Sequence, residues 1–158
     1  MSDTPKREVV TIDGATVTLS HPVSPIENSV VEDGGEAFRH LDVMDPRFRP
    51  ENYNKADGAP LRLFDSAGVK IDLSKRSHED MGFWHRNVEY HEVIFCFRGA
   101  LRWETEMGTV TLREGEMIII PKGITHRSML CPESGDENIL LELKVRDTLE
   151  YVGDDGAS

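Results

Sequence analysis

The chain has 158 residues, and its 18 Lys and Arg against 29 Asp and Glu give a formal net charge of −11. This length is typical of a single domain with additional arms, and a hydrophobic fraction of 38% is enough for one modest core. The acidic balance argues against a nucleic-acid binder, which neutralises phosphates with Lys and Arg, and against a polybasic membrane-surface protein. We therefore expect neither nucleic acid nor membrane as a partner.

The apolar runs and the cysteines predict the compartment. No apolar run approaches the roughly 18–20 residues of a membrane span, and the first residues lack the apolar region of a secretory signal. Cys96 and Cys131 are the two cysteines, too few for a disulfide scaffold. These features favour a cytoplasmic protein with reduced thiols.

The N-terminal part combines one hairpin with a long irregular stretch. Residues 8–19 are predicted to form a hairpin that turns at Asp13-Gly14, a strong two-residue turn signal. Residues 21–58 are broken by prolines and glycines, with a strand candidate at residues 38–44. Because compact domains rarely leave such a stretch structureless, we expect it to wrap the core or to cover a partner subunit.

Short strand candidates separated by turn residues follow from residue 61 onward. They span residues 61–64, 69–73, 82–87, 91–97, 101–105, 109–113, 116–120 and 124–129. A last strand alternates most clearly, with Ile139, Leu141, Leu143 and Val145 on one face and Leu140, Glu142 and Lys144 on the other. Many short strands at even spacing predict a mainly β fold, either a sandwich or a small barrel.

One segment carries a compact motif of glycine, proline and histidine. Gly115 is followed by five residues and Pro121, then by one residue and Gly123, and finally by two residues and His126. At this point the chain resembles the cupin superfamily, whose second motif has this pattern. The resemblance implies a double-stranded β-helix, the cupin jelly-roll barrel, with extra N-terminal strands or an arm.

The resemblance also implies a division of the chain. We expect residues 1–60 to form an N-terminal arm and hairpin that pack on the barrel. The barrel itself is expected at residues 61–146, and residues 147–158 are expected to be a disordered acidic tail. Because cupin domains often dimerise through N-terminal strands, the resemblance further implies a homodimer.

A second segment matches the first cupin motif in part. His85 occupies the position of its first histidine, and Glu92 and Gly99 keep the six-residue spacing that the family shows. Asn87 stands where the second histidine is expected, and Gly82 lies closer to the histidine than the pattern asks. Asn87 is therefore either a weak ligand or leaves that metal position empty.

Within the cupin superfamily, the chain resembles one family in particular. The tripeptide His-Arg-Asn at residues 85–87, followed by Glu92, resembles homogentisate 1,2-dioxygenase, whose metal site uses two histidines and one glutamate. The likeness covers roughly residues 80–130, one domain's worth of a longer enzyme. It implies a metal site made of His85, Glu92 and His126.

The residue types support this site independently. Side chains of the same parity share a face of a strand, so His85 and Asn87 point together. Glu92 joins them if a turn intervenes at residues 88–90. Two imidazoles and one carboxylate with open positions are the facial triad of non-haem iron oxygenases. We therefore expect a divalent metal ion, with Fe(II) first and Zn, Mn or Ni as alternatives.

His91 leaves the identity of the third ligand open. A turn that differs by one residue would give a site of His85, His91 and His126, which suits Zn, Fe, Cu or Ni. The spacing to the following glycine favours Glu92 over His91. His91 and Tyr90 are also the residues that we expect to move a proton during catalysis.

These observations lead to one leading hypothesis and two alternatives. The leading one is a metal-dependent enzyme, a mononuclear non-haem Fe(II) dioxygenase acting on a small aromatic or hydroxy-acid substrate. A Zn- or Mn-dependent lyase, isomerase or decarboxylase is an alternative, because the same barrel supports many chemistries. The replaced second histidine supports the other alternative, a non-catalytic cupin that binds a small ligand.

Overall fold

The computed structural model describes residues 6–21, 39–77 and 82–153. The chain divides into two compact units, Met1–Leu41 and Asp42–Ser158. In the described part of the chain, no helix is long and apolar enough to cross a membrane. The predicted division of the chain at residues 60 and 146 stays a prediction, as does the compartment.

The first unit contains the predicted hairpin. Strands β1 (Lys6–Ile12) and β2 (Ala15–His21) pair antiparallel, with Ile12 opposite Ala15 at the closed end. Asp13 and Gly14 connect them with φ values of 49° and 78°. Two consecutive positive φ values are the requirement of a type I′ turn, which Asp-Gly satisfies at low cost. The hairpin prediction is confirmed.

The described residues of the second unit form eight strands and one short 3₁₀ helix, Glu51–Tyr53. The strands are β3 (Leu61–Asp65), β4 (Val69–Arg76), β5 (His91–Arg98), β6 (Ala100–Thr105), β7 (Gly108–Arg113), β8 (Met117–Ile120), β9 (His126–Met129) and β10 (Asn138–Val145). They form two antiparallel sheets, one in the order β3-β4-β10-β5-β8 and the other in the order β7-β6-β9. The mainly β prediction is confirmed.

The hydrophobic core is formed by apolar side chains that face inward from both sheets. It comprises Ile94, Cys96, Leu101, Trp103, Leu112, Ile120 and Leu140. Burying one such side chain contributes about 1.5–3 kcal/mol to folding. Along β5 the inward face changes from Cys96 and Ile94 to Glu92, so that the apolar core gives way to polar side chains at one end. This polar end contains the candidate site.

Two of the predicted strands are wrong in the described residues. Residues 82–87 form no continuous strand, because the bridge between His85 and His126 is isolated and is not extended by a neighbouring partner strand. Residues 39–44 form no strand, since Asp42 turns the chain there. Its side chain accepts a hydrogen bond from Met44 N at 2.9 Å, and its carbonyl accepts one from Asp45 N at 3.0 Å.

The irregular stretch covers the end of β4 in its described part. β3 pairs with β4 only as far as Leu73. Beyond that point Asn52 of the 3₁₀ helix takes over, since its Oδ1 accepts from Lys75 N at 3.2 Å and its Nδ2 donates to Ser74 Oγ at 2.9 Å. Lys75 Nζ in turn donates to the carbonyl of Asp45 at 2.7 Å. These contacts involve only described residues of the stretch, and the expectation that residues 21–58 wrap the core or cover a partner subunit stays a prediction.

Candidate metal centre

The ligand candidates His85 and His126 are held together through their backbones. His85 N donates to His126 O at 3.0 Å, and His126 N donates to His85 O at 2.9 Å. The two imidazole centroids lie 4.4 Å apart in an edge-to-face arrangement. Glu92, the second residue of β5, faces the same space, and one ligand atom from each of the three residues lies within 4.8 Å of the others.

Both imidazoles are oriented by backbone carbonyls. His85 Nδ1 lies 3.2 Å from Phe83 O, and His126 Nδ1 lies 2.9 Å from Ile124 O. An Nδ1–H that donates to a carbonyl leaves the Nε2 lone pair free for a metal ion, the arrangement found around metal-binding histidines. The backbone thus selects the tautomer that ligation requires.

The donor set has an orphaned polar atom where a cation would fit. His126 is buried, and its Nε2 makes no hydrogen bond of adequate geometry, although Glu92 Oε2 lies only 3.1 Å away. A buried nitrogen beside a buried carboxylate needs a positive charge or a proton between them. The residues therefore fit a divalent cation bound by two imidazoles and one carboxylate.

Burial and mutual attraction shift the pKa values of these three groups. Burial lowers the pKa of His85 below its ordinary value. Burial alone would lower the pKa of His126 and raise that of Glu92, but each group stabilises the other's charge. The pKa of His126 therefore lies above its ordinary value and that of Glu92 below it. A metal ion at this site would therefore compete with a proton for His126.

Asn87 supports the turn and the glutamate. Its Oδ1 accepts hydrogen bonds from Glu89 N and Tyr90 N, both at 3.1 Å, which forms the turn that precedes β5. Its Nδ2 lies 3.4 Å from Glu92 Oε1 and donates toward it. The amide oxygen is thus engaged by the backbone, and the amide nitrogen orients Glu92.

His91 and Tyr90 lie apart from this cluster. On β5, His91 faces the opposite side of the sheet from Glu92, and its Nδ1 accepts from Lys122 N at 3.3 Å. Tyr90 is buried, and its hydroxyl accepts from Arg146 Nη2 at 3.1 Å. Neither residue is among those that line the cavity beside the three ligand candidates. Their catalytic roles stay predictions.

A cavity of about 470 Å³ opens beside the cluster. Its size is within the range of small-ligand sites, about 300–1,000 Å³. His85 and Glu92 line it together with the apolar side chains of Phe83, Val88 and Trp103. The cavity could hold a single-ring molecule in contact with a metal ion.

The sequence did not identify the charged residues that β4 and β10 place at the cavity. They are Arg76, Glu142 and Lys144. Glu142 is buried and accepts a hydrogen bond from Ser74 Oγ at 2.5 Å, and Lys144 Nζ donates to Asp72 Oδ2 at 2.8 Å. For Glu142 and Lys144, the sequence did contain a signal. They are charged residues on one face of β10, a strand that is otherwise mostly aliphatic.

Comparisons with known proteins agree with this fold. The chain matches no protein-family model. A Saccharolobus solfataricus protein that bears the name "putative dioxygenase" is 23% identical over 99 residues, which are 63% of this chain and 25% of that protein. The chain thus spans about a quarter of the length of the curated protein it matches.

The chain is also similar to proteins of known structure. A Ralstonia eutropha protein described as a "putative mannose-6-phosphate isomerase" has a TM-score of 0.55 at 18% identity, covering 69% of this chain and 99% of that one. A cupin-2 domain protein from Shewanella frigidimarina has a TM-score of 0.45 at 26% identity, covering 56% of this chain and 80% of that one.

The fold and the site together define the class of protein. Two antiparallel sheets enclose one core, and the Gly-Pro-Gly-His turn delivers His126 to its polar end. The chain has a mainly β jelly-roll fold of two antiparallel sheets, as the sequence predicted, and a His-Glu-His cluster that could bind a metal ion lies at its polar end. Proteins named as enzymes are among those that it resembles.

Proposed function

We propose that this protein is a metal-dependent cupin enzyme, a mononuclear non-haem Fe(II) dioxygenase that acts on a small aromatic or hydroxy-acid substrate. The observation that carries the proposal is the set of His85, Glu92 and His126, in which Glu92 and His126 are buried and one ligand atom from each residue lies within 4.8 Å of the others. The name of the Saccharolobus solfataricus protein supports the same class of reaction.

The three ligand candidates would hold the metal on one side of the cavity. Fe(II) bound there would supply the one-electron chemistry toward O₂ that organic side chains lack. Asn87 keeps the Glu92 carboxylate oriented through its Nδ2. Trp103, nearly fully buried, forms an apolar wall that excludes water from one side of the reacting groups.

Glu142 adds a group that can hold a proton next to the cavity. Burial raises the pKa of its carboxyl above the ordinary value, and the nearby charge of Glu92 acts in the same direction. A carboxyl group kept protonated can donate to a substrate oxygen. Glu142 thus joins His91 and Tyr90 as a candidate for proton transfer.

The test is metal analysis of protein purified without chelators, followed by oxygen uptake. We expect stoichiometric iron, and consumption of O₂ when a catechol, a hydroquinone or an aromatic hydroxy acid is added. His126→Ala should lose both. Bound Zn or Mn without O₂ uptake would instead support a lyase, isomerase or decarboxylase. Wild-type protein without metal, unchanged by His126→Ala, would contradict every metal-enzyme interpretation and favour a non-catalytic ligand-binding cupin.

The assembly and the compartment are proposed on the resemblance and the sequence. We retain a homodimer as the expected assembly and the cytoplasm as the expected location. Sedimentation equilibrium of the full chain tests the dimer, and a mass of one chain across the micromolar range would contradict it.

A further inference from the structure

Arg76 is the last residue of β4 and lies beside the candidate metal centre. It pairs with Asn138 at the start of β10, and Asn138 Nδ2 donates to Arg76 O at 3.1 Å. Alternation along β4 places Arg76 on the same face as Ser74 and Asp72, and its side chain lines the cavity next to Glu92. Only 8% of the residue is exposed.

The Arg76 guanidinium lacks an anionic partner. Nη1 donates to Ala56 O at 2.9 Å, while Nε is buried and has no hydrogen-bond partner. No carboxylate of the described residues forms an ion pair with it, in contrast to Arg62 with Asp72 and Arg127 with Glu104. A buried guanidinium without a counter-charge is costly, so buried arginines are usually paired.

The acidic groups of the cavity are engaged elsewhere. Glu92 belongs to the ligand cluster with His126, and Glu142 accepts from Ser74 Oγ. Glu142 is near enough for its charge to interact with that of Arg76, but it forms no ion pair or hydrogen bond with the guanidinium, so the Nε and Nη2 edge of Arg76 has no hydrogen-bond partner among the described residues. This edge of a guanidinium matches the two oxygens of a carboxylate in a bidentate pair.

We propose that Arg76 binds a carboxylate of the substrate while another oxygen of the same molecule faces the metal centre. The proposal rests on the proposed function for the location of the substrate, and it narrows the substrate class to small carboxylic acids. Neutral phenols and sugars would leave Arg76 unpaired. A cavity of about 470 Å³ accommodates one aromatic or short aliphatic acid.

The test compares acids with their neutral amides. Benzoate against benzamide and lactate against lactamide are pairs of nearly equal shape that differ in charge. Calorimetric titration into the full chain, both metal-loaded and metal-free, gives the preference for acid over amide. We expect wild type to bind at least one acid tenfold or more tighter than its amide, and Arg76→Gln to lose that preference while keeping its metal content.

Two variants make the result interpretable. Arg86→Gln removes a charge that also lines the cavity, but that guanidinium is about half exposed, donates to Gly123 O at 3.3 Å and lies 3.7 Å from Glu106. It should keep the preference. Arg76→Lys keeps a positive charge without the planar edge, and should retain part of the preference even if Arg76→Gln does not fold.

The outcomes separate this inference from the proposed function. Two results would overturn the role of Arg76, even if iron and O₂ uptake are found. In one, the wild-type protein prefers neither acid over its amide. In the other, Arg76→Gln and Arg76→Lys leave the preference unchanged. If the protein binds no metal but the metal-free chain shows an acid preference that Arg76→Gln abolishes, the dioxygenase proposal fails and the carboxylate site stands.

Discussion

His85 and His126 are hydrogen-bonded to each other in both directions through their backbones, at 3.0 and 2.9 Å. These hydrogen bonds hold side by side two candidate ligands that are distant in the sequence. Displacing either segment would move both imidazoles together. A further backbone hydrogen bond, from Gly123 N to Asn87 O at 2.6 Å, connects the same two segments.

The third ligand can be identified by single substitutions. Glu92→Ala should lose the metal, because Glu92 lies with His85 and His126 in the ligand cluster. His91→Ala should keep most of it, because His91 points to the other face of β5. Metal content per chain, measured by mass spectrometry after gel filtration, distinguishes the two. Loss of metal from His91→Ala with retention in Glu92→Ala would show that His91 is the ligand.

Asn87 should tune metal affinity without being a ligand. Removing an outer group that orients a ligand typically costs about 10–100-fold in metal affinity, so Asn87→Ala should weaken binding by this amount. Asn87→Asp keeps the acceptor that forms the turn with Glu89 N and Tyr90 N but loses the donor to Glu92. If Asn87→Asp binds metal as tightly as wild type, orientation of Glu92 by Nδ2 is unimportant.

Metal binding should release a proton near neutral pH. The Glu92 carboxylate raises the pKa of His126 above its ordinary value of about 6.5 despite burial, so a proton competes with the metal for this residue up to a higher pH than at an ordinary histidine. Metal affinity should therefore rise with pH until His126 is deprotonated. Calorimetry in two buffers of different ionisation enthalpy counts the protons, and no release by wild type would contradict the prediction.

The pair of His126 and Glu92 should also affect the stability of the metal-free protein, and the contribution of His126 should fall with rising pH, whereas metal affinity rises. A histidine whose pKa is raised on folding stabilises the folded state at low pH, and this contribution is lost as pH rises through the folded value. The lowered pKa of Glu92 adds stability that is lost only as pH falls through that lower value. Urea unfolding of chelator-treated protein should show that His126→Gln costs less stability above the folded pKa of His126 than below it.

Gly99 should be intolerant of a side chain. Its φ is 77°, and an added Cβ would overlap the Oδ1 of Asn138. That oxygen accepts from Ala100 N at 3.1 Å, so moving it breaks the turn between β5 and β6. Gly99→Ala should destabilise the protein by about 2–4 kcal/mol, the combined cost of left-handed backbone strain and steric overlap.

Gly115→Ala provides the matched control for this substitution. Gly115 has a φ of 83°, but an added Cβ would meet no atom within 4 Å. Its cost should be backbone strain alone, about 1–2 kcal/mol. Equal unfolding free energies of the two variants in urea would mean that Asn138 moves aside without loss.

The sequence predicted the elements whose signals are local. Alternation identified β10, and Asp13-Gly14 identified the hairpin because its turn requires two positive φ values. The complete Gly-Pro-Gly-His motif led to His126. The strand predicted at residues 82–87 failed because strand pairing depends on a partner that the local sequence does not reveal.

Arg76 shows where sequence reasoning reached its limit. The predicted strand ended at residue 73, whereas β4 continues to Arg76 because β10 extends far enough to pair with it. The direction of the Arg76 side chain follows from that non-local register. Its lack of a carboxylate partner depends on the positions of Glu92 and Glu142, which come from two other strands.

The hydrogen bonds of Asn52 also bear on how copies of this chain can associate. Free strand edges are templates for intermolecular pairing and aggregation, and folded proteins protect them. Asn52 Oδ1 accepts a hydrogen bond from Lys75 N at the point where β3 no longer pairs with β4. This part of the sheet edge is therefore closed to a second chain, and a dimer formed by extending a sheet would have to use another edge.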